Sequence, residues 1–451
     1  MTKKIRIGTG SGGCSVERLE PACDLIYRGN IDYLIFECLS ERTMAEAQKQ
    51  KLEDPSLGYN SMLEIRMRKM LKPAFERHIK IVSNMGAANP EAAVARIRDI
   101  AGELGLHGLK IARVFGDDIT DRLDRYGEMP LYDTPGKLKD LPDIISGNVY
   151  LGADGIRRAL DEGADVVITG RVADPSLFVG PVCHELGFTA DEPEKMGQAI
   201  LLGHLMECNA QITGGYFADP GYKDLENIDQ LGFPIAEMDE TGAFTITKLD
   251  GTGGAINKDV CKEQLLYEIG DPSAYITPDG IADFSKVRIT EVEKDKILLE
   301  GARAKKAPDT YKVNIGYYDS YMGIAEISFG GLNSLKRARL VADAVQKRWE
   351  TIGVKPLERH ISYIGYNSLY GDKIAELMSD GVCPEVRLRI AVRTDNRNDA
   401  VLLNHEVQCL YINGAAGNAG IEARVSRVLA VNNILIPKND VEACVRMEEV
   451  S

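Results

Sequence analysis

The 451-residue sequence predicts an α/β protein: a parallel sheet flanked by helices in the N-terminal half, then a β-rich segment, then a C-terminal α/β lobe. Three observations predict it. Short apolar, β-branched runs alternate with helical patterns up to about residue 215, the pattern of buried strands joined by crossover helices. Runs such as FTITK and VRITEV then alternate with period two as far as about 330. Finally, the helical stretch LNSLKRARLVADAVQKRW opens a section that continues with ISYIGY, VRLRIAVRT, a helix ending near HEVQCLYINGAAG, and terminal strands. Domains are therefore expected at 1–215, 216–332 and 333–451.

Each element of the first half has a local reason. Strands are expected at Ile5 to Ile7, Tyr33 to Phe36, Ile79 to Val82, Leu109 to Val114 and Val166 to Thr169. Pro21 is tolerated only in a first helical turn, so the first helix is expected to start near Glu20. The helix PEAAVARIRDIAGEL has Asn89 as its cap and Pro90 at its first position, where the missing N–H costs nothing. In parallel sheets ligands collect beyond the carboxyl ends of the strands. The loops expected there carry Gly8 to Gly13, Glu37 with Glu41, Ser83 to Gly86, Asp117 with Asp118, and Arg171 with Asp174.

The composition excludes several classes of function. A formal net charge of -14 and the lack of a Lys/Arg cluster argue against nucleic acid, which needs a concentrated basic face. Nine cysteines with no C-x-x-C and no framework spacing fit reduced thiols in a cytoplasmic setting. The start MTKKIRIG runs into a strand, so no signal peptide is expected. No apolar run approaches the roughly 20 residues of a membrane span.

The glycines Gly8, Gly10 and Gly13 have the spacing G-x-G-x-x-G, and Glu37 follows at a strand end, as in a dinucleotide fingerprint. A helix that begins only near Glu20 displaces the N-terminal dipole from those glycines, so no nicotinamide or flavin cofactor is expected. A strand-end substrate loop containing Gly10 and Gly12 is the preferred reading, with a purely structural turn as its alternative. In TKLDGTGGAINKDVCKEQLLYEI, the turn Gly251 to Gly254 precedes a helix capped near Asn257 and resembles an anion cradle, to which Lys248 adds charge and Thr252 a hydroxyl. A structural turn is the alternative here too.

His204, Glu207 and Cys208 fall at i, i+3 and i+4, on one helical face. H-x-x-E-C is not an established zinc spacing, so no metal is expected, and Glu207 becomes a candidate for acid/base work beside Gln211. Arg171 follows a buried strand, where a guanidinium can clamp a carboxylate bidentately; an internal pair with Asp174 is the alternative. Asp117 is read as a helix cap or a catalytic carboxylate, with magnesium binding by Asp117 and Asp118 left open.

The segments DPSLGY, SNMGAANP, GADVVITGRVADPSLFVGP, ECNAQITGG, GFPIAEM and TKLDGTGGAINKDVCKEQLLYEI together resemble the acyclic terpene utilisation family, the AtuA-like proteins, from about residue 5 to about 330. The family's early loop differs from GSGGCSVER here, which weakens any carry-over at Gly12 to Arg18. The residues that match include Glu41, Asn84, Gly86, Asp117, Arg171, Asp174, Glu207, Gln211, Lys248, Thr252, Gly253 and Gly254. The resemblance implies catabolism of branched carboxylic acids or their CoA esters by hydration, dehydration or C–C cleavage. On this basis a lyase is expected, with Glu207, Asp117 and Lys248 as catalytic candidates. Arg171, Asp174, Asn84, Gly86, Thr252, Gly253, Gly254, Gly10, Gly12, Glu41 and Gln211 are the binding candidates. The substrate expected is a small carboxylate or acyl-CoA, the assembly a homo-oligomer. Some members of the family carry a further small ferredoxin-like domain, and none is evident in the sequence. The alternative function is therefore a binding or scaffold subunit that needs a small ferredoxin-like partner.

Overall fold

A computed structural model describes residues 3–13, 17–378 and 383–451. The chain forms two compact units, Met1–Tyr317 with Val431–Ser451, and Tyr318–Ala430.

The first unit begins with strands β1 (Lys4–Ser11), β2 (Tyr33–Phe36), β3 (Lys80–Ser83), β4 (Lys110–Phe115), β5 (Ile144–Val149) and β6 (Val166–Thr169). Strands β1, β2, β3, β6 and β4 lie side by side in that order and run parallel. Helices α1 (Glu20–Arg28), α2 (Glu41–Glu53), α3 (Leu63–Glu76), α4 (Pro90–Glu103), α5 (Asp154–Asp161), α6 (Ser176–Leu186) and α7 (Pro193–Glu207) connect them or follow. Alternate strand residues serve opposite cores. Ile7, Ile35, Val82, Val114 and Val167 pack with α5, α6 and α7, whereas Leu34, Phe36, Ile81, Ile111 and Ile168 pack with α1, α3 and α4. Burial on both faces is why these strands read as continuous apolar runs.

The alternating runs after residue 216 extend the same sheet. Strands β7 (Pro234–Asp239), β8 (Phe244–Lys248) and, past helix α8 (Lys258–Leu266), a short sheet of β9 (Tyr275–Thr277), β10 (Gly280–Asp283) and a later strand are followed by β11 (Arg288–Glu293) and β12 (Lys296–Glu300). The first two and the last two add antiparallel beside β1 in the order β11-β12-β8-β7-β1. The later strand of the short sheet is β13 (Arg303–Lys305).

The second unit holds most of β14 (Thr310–Gly330), then α9 (Ser334–Ile352), β15 (Glu358–Ile364), α10 (Gly371–Met378), β16 (Glu385–Thr394), α11 (Arg397–Asn413) and most of β17 (Asn418–Pro437). Its sheet order is β15-β16-β14-β17. With α10 set aside this is the βαββαβ order of a ferredoxin-like sheet. A ferredoxin-like unit is thus built into the chain. Val386, Leu388, Ile390 and Val392 of β16 bury against Val341, Val345 and Trp349 of α9 and Leu403 and Val407 of α11. A final strand, β18 (Cys444–Glu449), returns to the first unit beside β4. Among the described residues, no helix is long and apolar enough to cross a membrane.

Candidate functional site

The carboxyl ends of β1, β2, β3, β4 and β6 bring together residues that the sequence scatters over more than 150 positions. Arg171, just past β6, ties them. It is only 1% exposed. Its Nη1 donates to Leu39 O at 2.7 Å, its Nε to Val172 O at 3.0 Å and its Nη2 to the Asp174 carboxylate, while its backbone N–H donates to Asp117 Oδ2 at 3.0 Å. The guanidinium carbon also lies 4.2 Å from the centre of the Tyr150 ring. The bidentate substrate clamp expected of Arg171 is therefore corrected: these donors brace the protein's own loops, and the internal pair with Asp174 is the geometry found.

Asp117 faces the same interior. Its Oδ2 also accepts from Asn148 Nδ2 at 3.0 Å, and burial outweighs these bonds to push its carboxyl up to about 6. Asp118 instead closes a turn, accepting from Thr120 N at 3.0 Å and Thr120 Oγ1 at 2.7 Å. Asn84 is a second brace: its Oδ1 accepts from Cys38 N at 2.7 Å and its Nδ2 donates to Glu37 Oε1 at 3.1 Å. Gly86 lies against Thr169 O, where a Cβ would come within 2.4 Å.

Around this frame stand carboxyl groups in contrasting environments. Glu37 is buried, accepts from Leu39 N at 2.7 Å and Gly13 N at 3.1 Å, and is pushed up to about 8 by burial and by the charge of Asp174. Glu207, at the end of α7, is held well above the ordinary carboxylate range by burial and then by Asp174 and Glu37. Glu17 accepts from Gly12 N at 2.6 Å and from Asn209 Nδ2 at 2.7 Å, and burial raises it as well. Glu41 behaves oppositely: burial raises it, but Lys312 at 2.9 Å, the Tyr150 hydroxyl at 2.5 Å and Arg171 prevail and hold it at about 2. A cavity of about 480 Å³ opens beside this group, lined by Glu17, Cys38, Leu39, Thr43, Tyr59 and Asn60 among others.

The early glycines serve close packing. A Cβ on Gly10 would meet the Phe36 ring at 2.4 Å, and one on Gly12 would meet Glu207 O at 2.2 Å. Helix α1 does begin at Glu20, with Pro21 in its first turn. Cys14, Ser15 and Val16, in the loop that departs from the family pattern, lie outside the described residues.

The turn Gly251 to Gly254 lies at the end of β8. The anion cradle expected there is corrected by its hydrogen bonds. Thr252 N donates to Leu249 O at 3.3 Å, Gly253 N to Gln230 O at 2.7 Å, Gly254 N to Glu226 O at 2.9 Å and Ala255 N to Thr213 O at 3.0 Å. Four consecutive donors thus meet carbonyls of the chain. Lys248 is held by Thr252 O at 2.9 Å and Asp295 at 3.3 Å. Gln211 bonds the side chain of Tyr267. His204 packs among Tyr275 and Phe284 with its Nε2 on Leu265 O at 3.2 Å. Among the described residues, no group of three or more His, Cys, Asp or Glu is arranged to hold a metal ion.

Sequence reasoning missed Tyr150, Lys312, Glu17 and Asn148, and placed Glu37 in a strand-end loop and a glycine fingerprint without giving it a role. Lys312 lies 271 residues from Glu41, on a strand paired to β5, and no motif announces it.

In comparisons with known proteins, the model of the family described as "Acyclic terpene utilisation family protein AtuA" matches residues 5–447. No curated protein matches the chain significantly.

Proposed function

Because the chain belongs to the acyclic terpene utilisation (AtuA) family, we propose that it is an enzyme of branched carboxylic acid or acyl-CoA catabolism, a lyase acting on a branched hydroxy acid or its CoA ester. The observation that carries this reading is a pair of interacting carboxyls, Glu207 and Asp174, both raised by burial, of which Asp174 is bonded to Arg171 and Glu207 has only other carboxyls raising it further. Two interacting carboxyls in unlike surroundings divide the labour of acid and base. Glu207 keeps a proton and gives it to the departing hydroxyl. Asp174, whose carboxyl burial raises but whose bond to Arg171 favours the carboxylate, takes the proton from the carbon next to the carbonyl, and water leaves as the double bond forms. Lys312 and Tyr150, which hold Glu41 beside this group, are the donors that would polarise the carbonyl oxygen.

The test is turnover of branched 3-hydroxy acids and their CoA esters, followed by incorporation of solvent deuterium at the carbon next to the carbonyl. Glu207→Gln is expected to lower the rate about 10²- to 10⁴-fold with the fold intact, the usual worth of a general acid. Turnover and exchange that survive Glu207→Gln would remove Glu207 from the reaction. The second reading, a scaffold subunit, is favoured by the internal use of the Arg171 donors and of the 252–255 N–H groups. It predicts no turnover by the chain alone and turnover when a partner protein is added, one that need not supply the ferredoxin-like unit expected of a small subunit, because the chain carries its own.

A further inference from the structure

Helix α2 covers a layer of buried polar side chains that the carboxyl group described above does not use. Strands β5 and β14 pair in register beneath it, Asn148 opposite Asn314 and Ser146 opposite Gly316. One face of this pair carries Val149, Val313 and Ile315 into the apolar core. Because side chains alternate along a strand, Ser146, Asn148 and Asn314 share the other face. That face meets α2: a Cβ added at Gly316 would come within 2.8 Å of Ala45. Gln48, three residues on, lies on the Ala45 face of the helix. All four polar side chains are at least nine-tenths buried. Yet Gln48 Oε1, Ser146 Oγ, Asn148 Oδ1 and both polar atoms of Asn314 have no hydrogen-bond partner among the described residues. Asn148 and Asn314 stand directly opposite and still do not bond each other. Buried amides without partners are costly, and five such atoms on one face differ from a scatter of single exceptions.

We propose that the oxygens of Gln48, Ser146, Asn148 and Asn314 hold a monovalent metal cation, potassium or sodium. The first reason is the kind of atom left over. Three amide oxygens and a hydroxyl stand against one amide N–H group, and neutral oxygens of this type replace the hydration shell of an alkali cation. The second reason is charge. Asn148 Nδ2 donates to Asp117 Oδ2, and the other group bonded to that oxygen, the backbone N–H of Arg171, is neutral as well. A single positive charge on the far side of Asn148 offsets the buried carboxylate, whereas water would satisfy the oxygens and leave the charge as it is. Glycine at 316 fits the same purpose: a Cβ there would lie 2.4 Å from Ser146 Oγ and displace the hydroxyl. A divalent ion fits less well, because calcium and magnesium draw on carboxylates and only Asp117 is bonded to this layer. The inference does not rest on the reaction proposed above.

The experiment is thermal unfolding of the full chain in potassium, sodium and choline chlorides at equal ionic strength, with each alkali salt titrated against choline. A bound cation stabilises the folded chain by mass action, so the melting temperature is expected to rise by about 2 °C and to saturate in potassium or sodium but not in choline. Asn314→Leu, which replaces the amide by an apolar group of similar size, is expected to abolish the rise. Ser146→Ala removes one oxygen and spares the packing, and is expected to raise the half-saturating concentration about three- to tenfold; it carries the test if Asn314→Leu does not fold. Crystals grown in rubidium chloride are expected to show an anomalous peak between Asn148 and Asn314. The same melting temperature in all three salts overturns the proposal. So does a rise that both variants keep unchanged, or density between the two asparagines without anomalous signal, which would mark water alone.

Discussion

Gly170 stands against Asp117: a Cβ at Gly170 would lie 2.4 Å from Asp117 Oδ1 and 2.7 Å from Oδ2. The carboxylate cannot retreat, because Asn148 Nδ2 and Arg171 N hold it in a buried position. Gly170→Ala is therefore expected to destabilise the protein by about 1–3 kcal/mol, the usual effect of overpacking. Asp117→Ala in the same background removes the obstacle, so the double variant should lose less than the two single losses combined. Melting temperatures of the three variants check this; additive losses would show that the two positions do not interact.

Arg171→Lys follows from the brace. Lysine supplies one point charge where arginine's planar fork reaches Leu39 O, Val172 O and Asp174 together. The expected result is a loss on the order of 3 kcal/mol, because buried carbonyls and a carboxylate are left without their donors. Chemical denaturation measures it. A variant as stable as the wild type would return Arg171 to the role of a ligand clamp.

Much of the first unit was legible in the sequence, and the physical reason is burial. Tyr33–Phe36 and Val166–Thr169 are strands to the residue because both faces are covered and nearly every side chain is apolar, with Thr169 the buried polar exception at a strand end. Asn89 and Pro90 mark a helix start through local chemistry alone, and Asn89 Oδ1 does accept from Ala92 N. The site was legible only as a set of loops. Whether Arg171 points outward or inward depends on Leu39 and Tyr150, which come from the loops after β2 and β5, and no local pattern encodes that choice. The turn at Gly251 to Gly254 reads as an anion cradle because its residue types suit one. Its donors meet carbonyls from 213, 226 and 230, which only the folded chain brings near. The ferredoxin-like order of the second unit was likewise hidden, since strand adjacency is a property of pairing and not of any single run.

His204 makes stability depend on pH. Its ring is buried beside Tyr275 and Phe284 in a cluster of three rings, burial lowers it to about 4, and its Nδ1 has no hydrogen-bond partner among the described residues, so a second ring proton would find no acceptor. Its folded value lies below the ordinary 6.5, so the unfolded chain binds a proton first as pH falls. Stability is then full above about 6.5 and declines toward 4, by about 3 kcal/mol in all. His204→Phe keeps the aromatic packing and removes the titration. The difference in melting temperature between wild type and variant should change with pH across this window, and a constant difference would mean the ring does not titrate there.

Glu41 and Lys312 give a second test, with the same sign, at lower pH. The Glu41 carboxylate is held at about 2 because Lys312, Tyr150 and Arg171 together outweigh its burial. A carboxyl lowered in the folded state adds stability that is complete above its ordinary value of 4.5 and is lost as pH falls toward about 2. Both side chains are more than a third exposed, so solvent screens the pair and its energy is smaller than a fully buried bridge would give. Lys312→Met removes one of the two donors and leaves the Tyr150 hydroxyl and the charge of Arg171. Glu41→Gln removes the charge itself. Relative to wild type, Glu41→Gln should cost most near neutral pH and least near pH 3, where the wild-type chain has lost part of its advantage. Lys312→Met should show a smaller cost with the same trend, since the remaining partners still favour the carboxylate. If Glu41→Gln costs the same at pH 3 as at pH 7, the carboxylate's charge contributes nothing, and the Tyr150 hydroxyl bond alone accounts for its position.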